Sequence, residues 1–133
     1  MFRIKFSREI VLKLLYQMDV SGLSGVAPEA ILQSNLTFFK GINKVEQNFV
    51  LKIIAKVQEE QETIDRLIGE HLIGWKLSRL NTVDRNLLRM GIAESYFNSE
   101  KAIVIDDVVR IAKKYGAQES YRIINAVLDK VLK

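Results

Sequence analysis

The chain has 133 residues, with 20 Lys and Arg against 16 Asp and Glu, a net charge of +4, one proline and no cysteine. This length fits one domain with an ordinary hydrophobic core. The lack of cysteine excludes disulfides, thiolate metal sites and thiol catalysis. No apolar run reaches the roughly 20 residues that cross a bilayer, and the N-terminus does not have the pattern of a signal peptide. We therefore expect a cytoplasmic protein.

Apolar residues recur at helical spacing from the N-terminus onward. Ser7 is a candidate N-cap for a first helix, whose apolar stripe runs to Met18. After a glycine-containing loop, Pro28 suits the first turn of a second helix, and Gly41 closes that segment. The scarcity of proline leaves both segments free of helix breakers.

A longer apolar-faced segment covers residues 44–72. Its centre, residues 58–63, is almost entirely polar, and the segment exceeds the usual length of a globular helix, about 8–20 residues. Either one helix has a solvated stretch there or two helices meet, and we favour the break. The connection over residues 74–81 ends at Asn81, a candidate N-cap with Asp84 three residues later.

Three more helices complete the pattern. They are predicted over residues 82–97, 100–115 and 117–132, with Gly116 at a left-handed C-cap position. No alternating run indicates a strand. The sequence predicts an all-α protein, a compact bundle of six or seven helices arranged as two packed sub-bundles, residues 1–74 and 75–133.

The charges are distributed unevenly along the chain. Residues 1–16 and 76–89 each carry four basic residues against one acidic residue, and residues 110–133 carry six against two. Residues 43–70 are net acidic, with four against six. If the chain ends are neighbours, their cations form one patch that attracts phosphates. The alternative is that these are solvated faces of ordinary helices.

No set of residues indicates catalysis. His71 is the only histidine and has no cysteine or second histidine to complete a site, so we expect a structural role at a helix end. Asp106 and Asp107 diverge on a helix and are expected to face solvent or to lie at a helix start. No glycine-rich phosphate loop is present. We expect a protein that is not an enzyme and that needs no cofactor or metal.

Two tyrosines stand among cations near the C-terminus. The residues are Tyr115 and Tyr121, with Lys113, Lys114 and Arg122. Single-stranded RNA is bound by such sets, because bases stack on rings while cations hold phosphates. Glu119 and Ser120 are able to hydrogen-bond base edges. The alternative is that Tyr115 closes a helix and Tyr121 packs in the core.

Three segments resemble one family. Residues 75–95, WKLSRLNTVDRNLLRMGIAES, are similar to the W-x-L-x-R-L-x-x-V-D-R-x-x-L-R stretch of the NusB transcription antitermination family. Residues 111–133, IAKKYGAQESYRIINAVLDKVLK, resemble its C-terminal motif, and residues 7–22, SREIVLKLLYQMDVSG, its opening. The segments occur in the family's order and span nearly the whole chain.

The resemblance implies an all-helical fold of two packed sub-bundles and binding to boxA RNA together with NusE, a small-subunit ribosomal protein. That assembly joins RNA polymerase and suppresses termination, notably on rRNA operons. A helical scaffold or homodimer remains an alternative function. An accessory role in rRNA modification is another, although the chain has no glycine motif for a methyl donor.

The resemblance also implies RNA contacts. They are Arg3, Lys5, Arg8 and Lys13 in the basic N-terminal helix, Tyr16 at a Leu-Tyr position, and Glu119, Ser120, Tyr121 and Arg122 beside Lys113 and Lys114. Arg8→Ala and Arg122→Ala are each expected to weaken RNA binding by roughly 1 kcal/mol or more without changing the fold. In the V-D-R motif, the resemblance places Asp84 toward the ribosomal protein, with Arg85 and Leu88 as neighbours.

The chain departs from the family pattern in three places. The N-terminal arginine cluster is sparse, so RNA affinity without the partner is expected to be weak and sensitive to salt. Residues 102–107, AIVIDD, replace the usual K-V-A-I-N-E, and no function is carried onto them. Ile123 stands where some members have Phe, so we expect it in the core rather than stacked on a base.

Overall fold

The computed structural model describes residues 1–74 and 76–132, and within those ranges it contains six α-helices and no strand. Trp75 and Lys133, which belong to the predicted motifs, lie outside the described residues. The α-helices are α1 Ile4–Val20, α2 Pro28–Asn35, α3 Lys44–Glu70, α4 Thr82–Ser95, α5 Lys101–Tyr115 and α6 Ser120–Leu132. Short 3₁₀ turns cover Leu36–Phe38 and Leu77–Arg79. The predicted all-α fold is confirmed.

The first helix begins earlier than the sequence suggested. α1 starts at Ile4, so Ser7 lies within the helix and is not its N-cap. The Ser7 hydroxyl donates to the Arg3 carbonyl at 2.9 Å, which is a bond that serine makes inside a helix. The extra turn points Arg3 toward the start of α3.

The polar centre of the third segment interrupts the helix. α3 runs from Lys44 to Glu70, with one non-helical residue, Glu60, at φ −113° and ψ 18°. The favoured break is therefore present as a kink at Glu60, where two helical segments meet within the range Lys44–Glu70. Asn43 starts α3 with a capping box, because its side chain accepts from the Glu46 amide while the Glu46 carboxylate accepts from the Asn43 amide.

α4 is the central helix and packs against α1, α3, α5 and α6. Leu87 and Leu88 are fully buried in it, within one hydrophobic cluster that includes side chains of all six helices. Gly91 lets α6 come close, since a Cβ there would lie 3.2 Å from a methyl of Leu128. The predicted N-cap is confirmed: the Asn81 side chain accepts from the Asp84 amide at 2.8 Å.

Gly116 ends α5 for a different reason from the one predicted. Its φ of −82° is not left-handed, so the predicted C-cap conformation is wrong. A Cβ at Gly116 would instead lie 2.7 Å from the Ala112 carbonyl oxygen and 3.1 Å from the Ser120 Cβ. Close approach of α5 and α6 at this corner therefore requires glycine.

Two residues considered for catalysis have structural positions. His71 lies at the C-terminal end of α3, where its Nδ1 is 2.8 Å from the Leu67 carbonyl oxygen. Asp106 is exposed as expected, but Asp107 is buried, so the expectation that it faces solvent is wrong. Across the part of the chain that the structure describes, no helix is long and apolar enough to cross a membrane.

Candidate nucleic-acid interface

The predicted RNA contacts divide by exposure. Lys5, Lys13, Tyr16, Lys113, Lys114, Glu119 and Arg122 are exposed, Arg3 and Tyr121 are partly buried, and Arg8 and Ser120 are buried. Most exposed members lie along α1 or near the junction of α5 and α6. Only some of the N-terminal and C-terminal cations that were predicted to share a surface are therefore exposed on it.

A cavity of about 300 Å³ lies between the middle of α1, the start of α4 and the end of α5. This tyrosine pocket is lined by Leu12, Lys13, Tyr16, Val83 and Tyr115. Nζ of Lys13 is 5.7 Å from the centroid of the Tyr115 ring, and Nζ of Lys114 is 5.2 Å from the same centroid. The pocket thus combines aromatic rings with ammonium groups, as single-stranded RNA sites do.

Helical spacing explains how α1 contributes to the pocket. Leu12 and Tyr16 are four residues apart and lie on one face, with Lys13 beside them. Tyr115 is the last residue of α5, so its ring reaches past the end of that helix toward α1. Leu12 and Val83 were not predicted as site residues, and no sequence signal separates them from other apolar stripe positions.

Glu9 is a site residue that the sequence did not reveal. One carboxylate oxygen accepts from Lys114 Nζ and Tyr115 Oη, each at 2.9 Å, and the other accepts from Arg110 Nη1 at 2.9 Å. Burial alone would raise the pKa of Glu9, but these hydrogen bonds outweigh it and lower the pKa to about 2. Glu9 therefore stays charged and fixes the Tyr115 side of the pocket.

A second group of rings and cations lies at the start of α6. Nζ of Lys113 is 4.9 Å from the Tyr121 ring centroid, and the Arg122 guanidinium is 5.8 Å from it. Arg122 also pairs with Glu119 at 2.8 Å. Lys113 and Lys114 are consecutive in the last turn of α5, so both groups draw on the end of that helix. Lys5 instead lines a separate cavity of about 240 Å³ between α1 and α5.

Arg8 is not available to RNA. Its side chain is buried, with 1% exposure, and its Nε and Nη2 donate to the two oxygens of Glu94 at 2.8 and 2.6 Å. Nη1 donates to Asp107 at 3.0 Å. The prediction that Arg8 contacts phosphates is wrong, because all of its charge is used to pair α1 with α4 and α5 in the interior.

Arg3 is partly occupied by an internal partner. Its Nε and Nη2 each donate to the buried Glu46 carboxylate at 2.8 Å, and Nη2 also donates to the Gly41 carbonyl. The guanidinium lies 4.0 Å from the Phe6 ring centroid. Hydrogen bonding by Arg3 lowers the pKa of Glu46 to about 2. Arg3 thus joins the start of α1 to α3, and only part of its side chain faces solvent.

Asp84 and Ser120 are also interior residues. The Ser120 hydroxyl donates to Oδ2 of Asp84 at 2.7 Å, and both residues are buried between α4 and α6. Burial raises the pKa of Asp84, partly opposed by the hydrogen bonds from Ser120 and Asn81. The predictions that Asp84 faces a protein partner and that Ser120 contacts RNA are wrong in this structure, because each side chain faces the other.

The two predicted neighbours of Asp84 also pack inward or against the chain. Leu88 has no exposed surface and belongs to the core, so it cannot form a docking surface. Arg85 is partly buried, and its Nε and Nη2 donate to Asp19 at 3.1 and 2.9 Å. Arg89 bridges the same carboxylate to Asp65 of α3. Of the three predicted partner residues, only Arg85 has surface to offer.

Comparison with known proteins identifies the family of the chain. Residues 5–133 match the model of the NusB family. The chain belongs to the NusB family. The transcription antitermination protein NusB of Desulfotalea psychrophila is 37% identical over 131 residues, which cover 96% of this chain and 93% of that protein. The NusB of Acetivibrio thermocellus is 34% identical over 129 residues, covering 96% and 86%.

Solved structures confirm the NusB-family fold. T. maritima NusB superimposes with a TM-score of 0.83 and 30% sequence identity, covering 99% of this chain and 92% of that one. A chain in the crystal structure of antitermination factors NusB and NusE in complex with dsRNA gives a TM-score of 0.85 and 29% identity, covering 99% and 98%. The family resemblance predicted from three motifs is therefore confirmed.

Proposed function

We propose that this NusB-family chain is a transcription antitermination factor that binds boxA-type RNA together with NusE. It acts within an RNA polymerase complex and keeps transcription of rRNA operons processive. Its work is binding, with no catalytic step, and it takes place in the cytoplasm. The observation that carries the proposal is the tyrosine pocket, which places two rings and two lysines at one opening.

The RNA surface that we propose runs from the tyrosine pocket to the start of α6. Lys13, Tyr16, Lys114 and Tyr115 form its first part, where bases stack on rings and phosphates meet ammonium groups. Lys113, Glu119, Tyr121 and Arg122 form its second part. Lys5 and the exposed side of Arg3 extend the positive surface along α1. The relatives' names and the NusB–NusE–dsRNA structure support RNA binding as the function.

Charge pairing within the protein predicts weak binding to RNA alone. Glu9 neutralises Lys114, Glu119 pairs with Arg122, and Arg8 is internal, so few cations remain to release counterions. Each phosphate contact in single-stranded RNA contributes about −0.7 to the slope of log K against log salt. NusE is therefore expected to supply much of the affinity, by adding its own contacts to the same RNA.

The test compares a boxA RNA with a scrambled RNA, each with and without NusE, at two salt concentrations. Tighter binding of boxA in the presence of NusE supports the proposal, and equal binding of the two RNAs refutes it. Tyr16→Ala and Lys13→Gln are expected to weaken boxA binding, by about 1–3 kcal/mol for the lost stacking ring. Lys44→Gln, an exposed lysine at the start of α3, is the matched control.

A further inference from the structure

A second strip of rings and lysines lies on α3 and the end of α4, outside the tyrosine pocket. Nζ of Lys52 is 4.1 Å from the centroid of the Phe97 ring. Nζ of Lys56 is 5.1 Å from the Tyr96 centroid and 5.5 Å from the Phe97 centroid. Lys52 and Lys56 are one helical turn apart on α3, so the contacts form one row, which we call the α3–α4 strip.

The rings of the strip are accessible. Tyr96 and Phe97 are 45% and 42% exposed, which is unusual for two adjacent aromatic residues whose burial would stabilise the fold. Phe49, one turn before Lys52, extends the row and contacts the Phe2 ring at 5.4 Å between centroids. The α4 helix ends at Ser95, so the two rings project from the chain that leads into α5.

Three lysines lie close to the rings. Lys52 is exposed, and Lys101 lines a groove of about 240 Å³ together with Tyr96. The charge of Lys56 is partly neutralised, because its Nζ also pairs with Glu59 at 3.0 Å. The strip therefore offers two lysines with ring contacts and a third beside the groove, while Glu59 pairs with Lys56 and Glu100 precedes Lys101 in the sequence.

The arrangement fits single-stranded RNA better than a protein partner. The centres of protein interfaces are depleted in lysine, and their charges lie at the rim. Here the ammonium groups lie among the rings, where a base stacked on Tyr96 or Phe97 would place its phosphates within their reach. Such binding tolerates any base sequence, because each base has a face that stacks on an aromatic ring.

The strip is remote from the tyrosine pocket. Val83 lines the pocket near the start of α4, and Tyr96 follows the helix end, so about 20 Å of helix axis separates them at 1.5 Å per residue. An RNA that occupies the pocket would reach the strip only with nucleotides flanking its recognised sequence.

We propose that the α3–α4 strip is a second, sequence-tolerant contact for single-stranded RNA, which holds nucleotides flanking the segment bound at the tyrosine pocket. This inference rests on the proposed RNA-binding function and adds a site to it. Phe97 and Tyr96 supply stacking surfaces, and Lys52 and Lys56 supply phosphate contacts.

The test measures binding of two RNAs in the presence of NusE. One is a boxA core of about 12 nucleotides, and the other is the same core with oligouridine flanks, about 30 nucleotides in total. Phe97→Ala and Lys52→Gln are the test variants. Phe38→Ala and Lys40→Gln are matched controls, since both residues are exposed at the turn between α2 and α3. Thermal unfolding verifies that each variant is folded.

We expect Phe97→Ala to weaken binding of the flanked RNA about fivefold or more, and Lys52→Gln to weaken it by less and to lower its salt dependence. Binding of the core alone, and of both RNAs by the controls, stays at the wild-type level. If the wild type and the strip variants bind the flanked RNA equally well, the strip proposal is overturned while the proposed function stands.

Three other results also overturn the strip proposal. Weaker binding of NusE by the strip variants, with RNA binding unchanged, would make the strip a protein-docking surface. Failure of the wild type to distinguish boxA from scrambled RNA would remove the proposed function, and the strip proposal with it. Equal loss of binding to the oligouridine-flanked RNA in Phe38→Ala and Phe97→Ala would show that any exposed ring has the same effect, and that the strip is not a specific site.

Discussion

Replacing Arg8 by alanine should unfold the protein more readily rather than weaken RNA binding directly. The guanidinium makes two hydrogen bonds to Glu94 and one to Asp107, and the three side chains are at most 4% exposed. Without it, two carboxylates remain in the interior. Asn98 still donates to Glu94 at 3.1 Å and Arg110 to Asp107 at 2.5 Å, so the loss is not complete.

The expected cost follows from the burial of this group. Breaking a buried ion pair by removing one partner costs about 3–5 kcal/mol, because the other charge is left uncompensated. The entropy of unfolding is about 2.1 cal/mol/K per residue, which amounts to about 0.28 kcal/mol/K for a chain of 133 residues. Arg8→Ala should therefore lower the melting temperature by about 10–18 °C.

Urea unfolding followed by circular dichroism measures this free energy. Lys5→Ala, on the exposed face of α1, is the control and should change it by less than about 0.5 kcal/mol. The triple variant Arg8→Met, Glu94→Gln, Asp107→Asn should recover part of the loss, because no buried charge remains unpaired. An Arg8→Ala protein within about 1 kcal/mol of the wild type, but with weakened RNA binding, would refute this reasoning.

Three further predictions concern stability. The pKa of Glu9 lies at about 2 in the folded protein instead of 4.5, so the stability that Glu9 contributes is present above pH 4.5 and is lost as pH falls toward 2. Between these two pH values, the melting temperature should fall more steeply in the wild type than in Glu9→Gln. Gly116→Ala should cost about 1–3 kcal/mol in urea unfolding, because its Cβ would meet a carbonyl oxygen at 2.7 Å, whereas Gly25→Ala, with no atom within 4 Å of its Cβ, should be near neutral. Asn81→Ala should cost about 1 kcal/mol through loss of the α4 cap, and an unchanged urea midpoint would contradict that role.

The helices were predictable because apolar periodicity survives in each of them. Asn81 was predictable as a cap because the cap and its partner are close in sequence. The end of α5 was not, because the restriction on Gly116 comes partly from α6, which packs across it. By contrast, the break in α3 was predictable, because residues 58–63 have no apolar stripe and the kink at Glu60 lies among them.

Among the candidate site residues, the exposed tyrosines and lysines were predictable and the internal charges were not. Arg8 pairs with Glu94 and Asp107, which lie 86 and 99 positions further along the chain, and no local spacing reveals such partners. A signal was nevertheless present: Arg8 is three and four residues before Val11 and Leu12, so it lies on the apolar stripe of α1. A charged residue at a stripe position predicts a buried ion pair better than a surface contact.

The core contacts on both sides of the kink in α3 have a consequence for how the protein unfolds. At 27 residues and 1.5 Å per residue the helix is about 40 Å long, and it places Val50 and Ile54 before the kink and Ile64 and Ile68 after it in a single core. Opening either end exposes apolar surface shared with the other, so the protection of backbone amides against hydrogen exchange should fall together along the helix. Residues 1–74 and 76–132 also share this core, because α4 packs against both α1 and α3, so neither range is expected to form a cooperative unit alone.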